Sequence, residues 1–172
     1  QNWRFRFALH PREGLVLYTV GYEDEGRVRP ILYRAALSEM FVPYGDPDST
    51  WVWHQPFDVG EFSGMATYAH PLTAGVQVPS NALLVGAVLA NDSGTPYVLP
   101  GAVAIYERDG GILWTHYDVG RQTSQTRRAR QLVLSFIATV TNYDYGFHWV
   151  FNEDGTLEVQ VELSGILTVK AV

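Results

Sequence analysis

Thr156-Leu-Glu-Val-Gln-Val-Glu-Leu163 alternates apolar and polar residues without a break. Leu157, Val159, Val161 and Leu163 share one face, and Glu158, Gln160 and Glu162 share the other. This period of two is that of a half-buried β-strand. Just upstream, Asn152-Glu-Asp-Gly155 supplies turn residues, so the strands on either side read as a hairpin. Further back, Leu132-Val-Leu-Ser-Phe-Ile-Ala-Thr-Val140 is apolar almost throughout and rich in β-branched residues, which suits a strand covered on both faces. The same reading predicts strands at Leu15–Tyr22, Ile31–Met40, Ala82–Ala90, Ala102–Arg108 and Ile112–His116. It predicts turns at Tyr44-Gly-Asp-Pro47, Asn91-Asp-Ser-Gly94 and Asp109-Gly-Gly111. The polar, basic Arg121–Arg130 segment is expected to be a solvated loop leading into the buried strand. No 15-residue stretch shows helical periodicity, and the fold class predicted is all-β, a sandwich.

Composition agrees. The 172 residues fit one domain or a large piece of a bigger one, and 47% hydrophobic against 17% charged residues can bury a core. Sixteen Gly, nine Pro and 13% aromatics favour strands and turns. A net charge of −6 argues against a nucleic-acid partner held by phosphate contacts. With no cysteine, disulfides, thiolate metal sites and cysteine nucleophiles are excluded from the chain. No segment approaches the roughly 18 uncharged apolar residues of a spanning helix, so no membrane partner is expected. Gln1-Asn-Trp-Arg4 enters a patterned segment directly and does not resemble a signal peptide.

At the end of the buried strand stands Thr139-Val-Thr-Asn-Tyr-Asp-Tyr145. It resembles the quinone-cofactor motif of the copper amine oxidases: Thr, two residues, then Asn-Tyr-Asp/Glu-Tyr. Other segments are similar to that family in order and spacing: Tyr22–Ala35, Val42-Pro-Tyr-Gly-Asp-Pro47, Phe57-Asp-Val-Gly-Glu61, Pro79-Ser-Asn81 and Gly146-Phe147. The resemblance runs from about Trp3 to Gly165 and covers nearly the whole chain.

The resemblance implies that Tyr143 is the precursor of topaquinone, made by self-processing with copper and oxygen. An ordinary phenol titrates near ~10 and is no electrophile, whereas a quinone carbonyl condenses with an amine and accepts electrons. It further implies that Asn142 restrains the quinone ring, that Asp58 is the catalytic base, and that Tyr44 hydrogen-bonds a quinone oxygen. A free Asp titrates near ~3.9, so burial beside groups such as Phe57 is needed to make Asp58 effective. Taken one at a time, each residue also has a plain structural reading. Tyr143 could be a core tyrosine, Asp58 a turn residue and Tyr44 a turn-flanking aromatic. Asp144 and Tyr145 read as structural.

Two positions depart from the family pattern. Pro56 stands two residues before Asp58, where many relatives carry an aromatic, which bears on substrate preference. Val76 and Val78 stand where some relatives have a disulfide, a version closer to bacterial-type enzymes. Copper in the family is held by a His-x-His pair downstream of the quinone and a third histidine. The five histidines here are His10, His54, His70, His116 and His148, and none forms that pair. His148, alone in following Tyr143, reads as structural or pocket-adjacent. No metal ligand is therefore assigned in this chain, and residues 1–172 are expected to be an incomplete catalytic β-sandwich lacking the copper-ligand segment. Cut there, it is expected to be unstable or aggregation-prone alone.

What the resemblance implies for function is oxidative deamination of primary amines to aldehyde, ammonia and hydrogen peroxide. Its cofactors are topaquinone and copper, and its partners are a primary amine, oxygen, the remainder of the catalytic domain and a second copy in a homodimer. Relatives occur in the periplasm, outside cells and in peroxisomes, which leaves the compartment open. Two alternatives stand beside it: a non-catalytic binding or structural sandwich of the same fold, and a carbohydrate binder using some of the five Trp.

Overall fold

The computed structural model describes residues 2–37, 40, 42, 45–50, 64–167 and 169. Among them there is no helix. Eight strands follow in order: β1 Trp3–His10, β2 Gly14–Asp24, β3 Arg27–Ala35, β4 Leu83–Ala90, β5 Pro96–Asp118, β6 Thr123–Val140, β7 Tyr143–Phe151 and β8 Leu157–Gly165. They form a three-stranded sheet, β1-β2-β3, and a five-stranded sheet, β4-β5-β6-β7-β8, both antiparallel meanders. Short turns make this order natural, because an antiparallel neighbour needs only a few linking residues. Glu25-Gly26 between β2 and β3 is such a turn, with φ of 47° and 76°.

The sheets pack face to face as a sandwich. Trp3, Leu9, Leu15, Leu17 and Val20 of the small sheet meet Leu134, Phe136, Ala138, Tyr145, Phe147, Trp149 and Phe151 of the large one. Among the described residues, hydrogen bonds tie the small sheet to β7 and to the β7–β8 turn. Trp149 Nε1 donates to the Leu15 carbonyl at 2.8 Å, Trp3 Nε1 to Asn152 O at 3.0 Å, and the Tyr22 hydroxyl to Glu153 O at 2.9 Å. The outer face of the large sheet carries a second, smaller core of Leu72, Val78, Ala104, Tyr106, Val133 and Val150. β6 is therefore buried on both faces over its second half, as its unbroken apolar run predicts.

The structure corrects four expectations. Asp109-Gly-Gly111 is not a turn but an irregularity inside one long strand, so the two strands predicted at Ala102–Arg108 and Ile112–His116 are both parts of β5. Register slips on either side of Ile112, and Gly111, at φ 92°, donates its N–H to Asp109 Oδ1 at 2.7 Å. The Arg121–Arg130 segment is not a loop: from Thr123 onward it is strand, paired residue by residue with β5. The strand predicted at Ile31–Met40 is Arg27–Ala35. Finally, the apolar face of β8 is only partly covered. Leu157 and Val161 pack on the core, but Val159 and Leu163 are 47% and 65% exposed, because the three-stranded sheet does not reach over the edge strand.

Candidate functional site

The β6–β7 connection is built by a two-residue loop. Val140 pairs with Tyr143, leaving Thr141 and Asn142 between them. Thr141 has φ 56°, a left-handed conformation that typically costs a β-branched residue about 1–3 kcal/mol. Hydrogen bonds hold the loop against that cost. Thr141 Oγ1 donates to Asn142 Oδ1 at 2.9 Å, and Asn142 Nδ2 donates to Ile166 O at 2.5 Å. The Ile166 N–H donates to the Asn142 carbonyl at 2.6 Å. On the outer face, Thr139 Oγ1 donates to Asp144 Oδ1 at 2.6 Å, across the pair that these two residues form in the ladder.

Tyr143 opens β7 with its ring half-buried against the inter-sheet core. Alternation along β7 puts Tyr143, Tyr145, Phe147, Trp149 and Phe151 on the inner face. Their rings form a row. Tyr143 and Tyr145 lie 6.3 Å apart, Tyr145 and Phe147 stack at 6.4 Å, and Phe147 stacks on Phe136 at 4.9 Å. Tyr143 thus stands at the outer end of an apolar aromatic wall whose other members are all buried. The segment Gly64–His70 closes the same end of the sheet. Ala69 bridges to Ala138, Thr139 N–H donates to Tyr68 O at 3.0 Å and His70 N–H to Ile137 O at 3.3 Å. It occupies the side of β6 that β5 has left, since β5 pairs with β6 only from Ala104 onward.

Of the residues singled out from sequence, Asn142 and Tyr143 are brought together at this turn. Tyr44, Asp58, Pro56 and His54 lie outside the described residues. Val78 fills the outer core at 5% exposure, while Val76 is 74% exposed in the tight loop in which Gly75 N–H donates to Val78 O at 2.7 Å. Asp144 and Tyr145 are structural here: one is bonded across the ladder and the other is buried. Of the tryptophans described, Trp3 and Trp149 are buried and Trp114 is 45% exposed, so the described residues hold no pair of exposed Trp rings for a sugar.

His148 lies on the opposite face of β7 from Tyr143, beside Ser135. It is 7% exposed, with Nε2 3.5 Å from Glu162 Oε2. Burial holds its imidazole below the ordinary histidine range, and nearby Arg108 adds to this while Glu162 opposes it. Burial likewise pushes the Tyr106 phenol up, with neighbouring Ser135 and Arg108 opposing it. Among the described residues no group of three or more His, Asp or Glu could hold a metal ion. The described residues therefore do not fit a copper centre.

One contributor was not legible from sequence. Gly165 pairs with Tyr143 across the β7–β8 ladder, at φ 98°. A Cβ there would stand 2.4 Å from Asn142 O and 2.8 Å from both Tyr143 Cα and Asp144 N. A glycine closing a strand is an ordinary sight, and only the partner backbone shows what it accommodates.

Comparison with known proteins agrees with the motif. The family model described as copper amine oxidase, enzyme domain, matches residues 1–172. The chain is 43% identical over 172 residues to a primary amine oxidase of Klebsiella aerogenes, covering 100% of this chain and 22% of that protein. It is 40% identical over 171 residues to a histamine oxidase of Arthrobacter globiformis, covering 99% and 25%. Among solved structures, a copper-containing benzylamine oxidase from Hansenula polymorpha superposes with a TM-score of 0.82 at 32% identity, covering 97% of this chain and 26% of that one. The chain spans about a quarter of the length of these relatives.

Proposed function

This chain belongs to the copper amine oxidase family, and from that premise we propose that the protein it forms part of oxidises primary amines. A primary amine, dioxygen and water become an aldehyde, ammonia and hydrogen peroxide. The observation that carries the reading is Tyr143: the first tyrosine of the family's quinone motif stands half-buried at the end of an aromatic wall, on a turn tied down by Asn142. The quinone made from it supplies an electrophilic carbonyl that condenses with the amine and takes up its electron pair.

The chain's own residues prepare that chemistry. The apolar wall of Tyr145, Phe147 and Phe136 keeps water from one side of the ring. Asn142, itself held through both side-chain atoms, limits how the ring sits. In this reading Asp58 takes the α-proton of the bound substrate and Tyr44 hydrogen-bonds the ring oxygen. Support for Asp58 comes from its flank, since Gly64–His70 is bonded to the end of β6 that leads to Tyr143. Copper would be held by residues outside this chain.

The same reading makes residues 1–172 an incomplete catalytic β-sandwich. The uncovered inner face of β8 supports it, continued by Ile166, Leu167 and Val169 at 75%, 81% and 83% exposure. It also makes the protein a homodimer. Supporting this, the β5–β6 ribbon exposes Ile112, Leu113, Trp114, Tyr117 and Val119, more apolar surface than a two-stranded ribbon keeps in water without a partner.

The test is made on the full-length protein supplied with copper and oxygen. Phenylhydrazine should label one site per chain, in the peptide carrying Tyr143, and a primary amine should yield peroxide. Asp58→Ala should cut turnover by about 10²–10⁴-fold or more while labelling persists. An unmodified Tyr143 would leave a binding or structural sandwich in place of an oxidase, and normal turnover in Asp58→Ala would remove that residue from the reaction.

A further inference from the structure

The end of β8 meets the Tyr143 turn more closely than a side chain would allow. Gly165 lies opposite Tyr143, and its bare Cα faces the peptide that joins Asn142 to Tyr143. Non-bonded Cβ contacts below 3.0 Å essentially never occur, yet three backbone atoms of the turn stand at 2.4–2.8 Å from where that Cβ would be. The next residue uses the closeness. Ile166 offers both halves of its backbone to one partner: its N–H goes to the Asn142 carbonyl, and its carbonyl accepts from Asn142 Nδ2. Asn142 is thus gripped through main chain and side chain by a single residue, while Thr141 Oγ1 holds the other side-chain atom, Oδ1.

We propose that Gly165 is a positioning residue for Tyr143: its missing side chain lets the Gly165–Ile166 backbone press against the Asn142–Tyr143 peptide and so fixes where the ring enters the core. The inference rests on the amine-oxidase reading of Tyr143. The ring lies against Tyr145 and, beyond it, the stacked Phe147 and Phe136, so where it enters that wall depends on the position of its own Cα. That position is set by the depth of the notch. Filling the notch moves Tyr143 by an appreciable fraction of an ångström, and misplacement of a reacting group by about 1 Å can cost on the order of 100-fold in rate. The left-handed φ at 165 adds a second reason for glycine.

The experiment uses the full-length protein loaded with copper and oxygen. It compares wild type, Gly165→Ala and Ile166→Pro. The second variant removes the N–H that Asn142 O accepts, and it also fixes φ at 166 and restricts Gly165 before it, at a residue 75% exposed and outside the strand. Three quantities are read: phenylhydrazine label per chain, the wavelength of the labelled adduct, and kcat and KM per labelled site. A role in folding alone would lower the melting temperature and the fraction labelled but leave kcat per labelled site and the adduct band where they were. The expected result is a shifted band and a kcat per labelled site about 10- to 100-fold lower in Gly165→Ala, with KM changed by less than about threefold. Ile166→Pro should move both readouts the same way by less, and it decides alone if Gly165→Ala does not fold. Wild-type labelling with both variants unchanged in band and kcat would overturn the positioning role and leave the oxidase reading intact. A wild-type protein that takes no label would end both.

Discussion

Between Thr123 and Ala129 no residue of β6 is buried, whereas between Val133 and Phe136 every one is. The two halves share a backbone, a partner strand and a ladder, but different forces hold them. The outer half pairs only with β5. Its side-chain contacts are ion pairs and hydroxyl contacts: Arg128 with Asp109 at 2.6 Å, Arg130 with Glu107, and Thr115 with Thr126 at 2.9 Å. Exposed pairs of this kind contribute little to stability. The inner half lies between two cores and ends at the turn that carries Tyr143. A tyrosine closes each end: Tyr117 in the ribbon, 55% exposed, and Tyr143 against the aromatic wall. Secondary structure is the same at both, so what separates the packed half from the ribbon is burial on both faces.

The largest effect expected from this contrast is on activity. If the proposed function holds, Tyr143→Phe removes the oxygen from which the quinone would be built, and turnover and phenylhydrazine label should fall to background in the full-length protein. Tyr117→Phe, the same change at the other end, should leave the label unaltered and kcat within about twofold. Equal losses in both would show that the ends of β6 are not functionally distinct. Next in size is a change to the wall. Phe136 is 1% exposed and stacks on Phe147, so Phe136→Ala should destabilise by about 3–5 kcal/mol in a denaturant titration. A loss under about 1 kcal/mol would mean that the wall is not a packed support for Tyr143.

The same contrast explains what could be read from sequence. The inner half of β6 announces itself because burial on both faces leaves an unbroken apolar run. The outer half has no burial pattern, and Arg127, Arg128 and Arg130 read as loop because charge records exposure and not backbone conformation. Gly110-Gly111 reads as a turn for a related reason: glycine marks an unusual backbone, and an irregularity within a strand uses it as readily as a reversal. β1, Trp3–His10, is not among the predicted strands, although Trp3-Arg-Phe-Arg-Phe7 alternates as cleanly as β8. At the site, Asn142 and Tyr143 are legible because a contiguous motif carries them. Gly165 is not, because a notch is defined by the backbone across from it, 22 residues away in the chain and adjacent only in the ladder.

A smaller effect concerns the outer face of the inner half, where His148 sits beside Ser135 and under Glu162. Its folded imidazole is held below the ordinary range, chiefly by burial. The unfolded chain therefore binds a proton first as pH falls. The stability this neutral imidazole carries is complete above about 6.5 and is lost progressively below that, toward the depressed folded value. Asp109 and Asp154 are also held low, by the Arg128 guanidinium and by the Thr156 N–H respectively, so their contributions are lost only in the lower carboxylate range. His148→Gln should flatten the fall in melting temperature between about pH 7 and pH 5 and leave the steeper loss at lower pH. An unchanged slope would mean that Glu162 outweighs burial and keeps the imidazole charged.

The smallest effect on the fold is expected in the ribbon. Trp114 is 45% exposed, on a stretch of β5 that among the described residues pairs with β6 alone, with its ring 6.3 Å from that of His116. Truncating a side chain that is nearly half exposed and lies in neither core should cost about 1 kcal/mol, well below the loss expected for Phe136→Ala. Trp114→Ala should therefore melt only slightly below the parent under conditions in which both are monomeric. If the ribbon is a contact between copies, the cost appears only on association, as a shift from dimer to monomer on dilution followed by light scattering. A loss of monomer stability approaching that of Phe136→Ala would break the comparison, because the outer half of β6 would then belong to the same cooperative unit as the inner half.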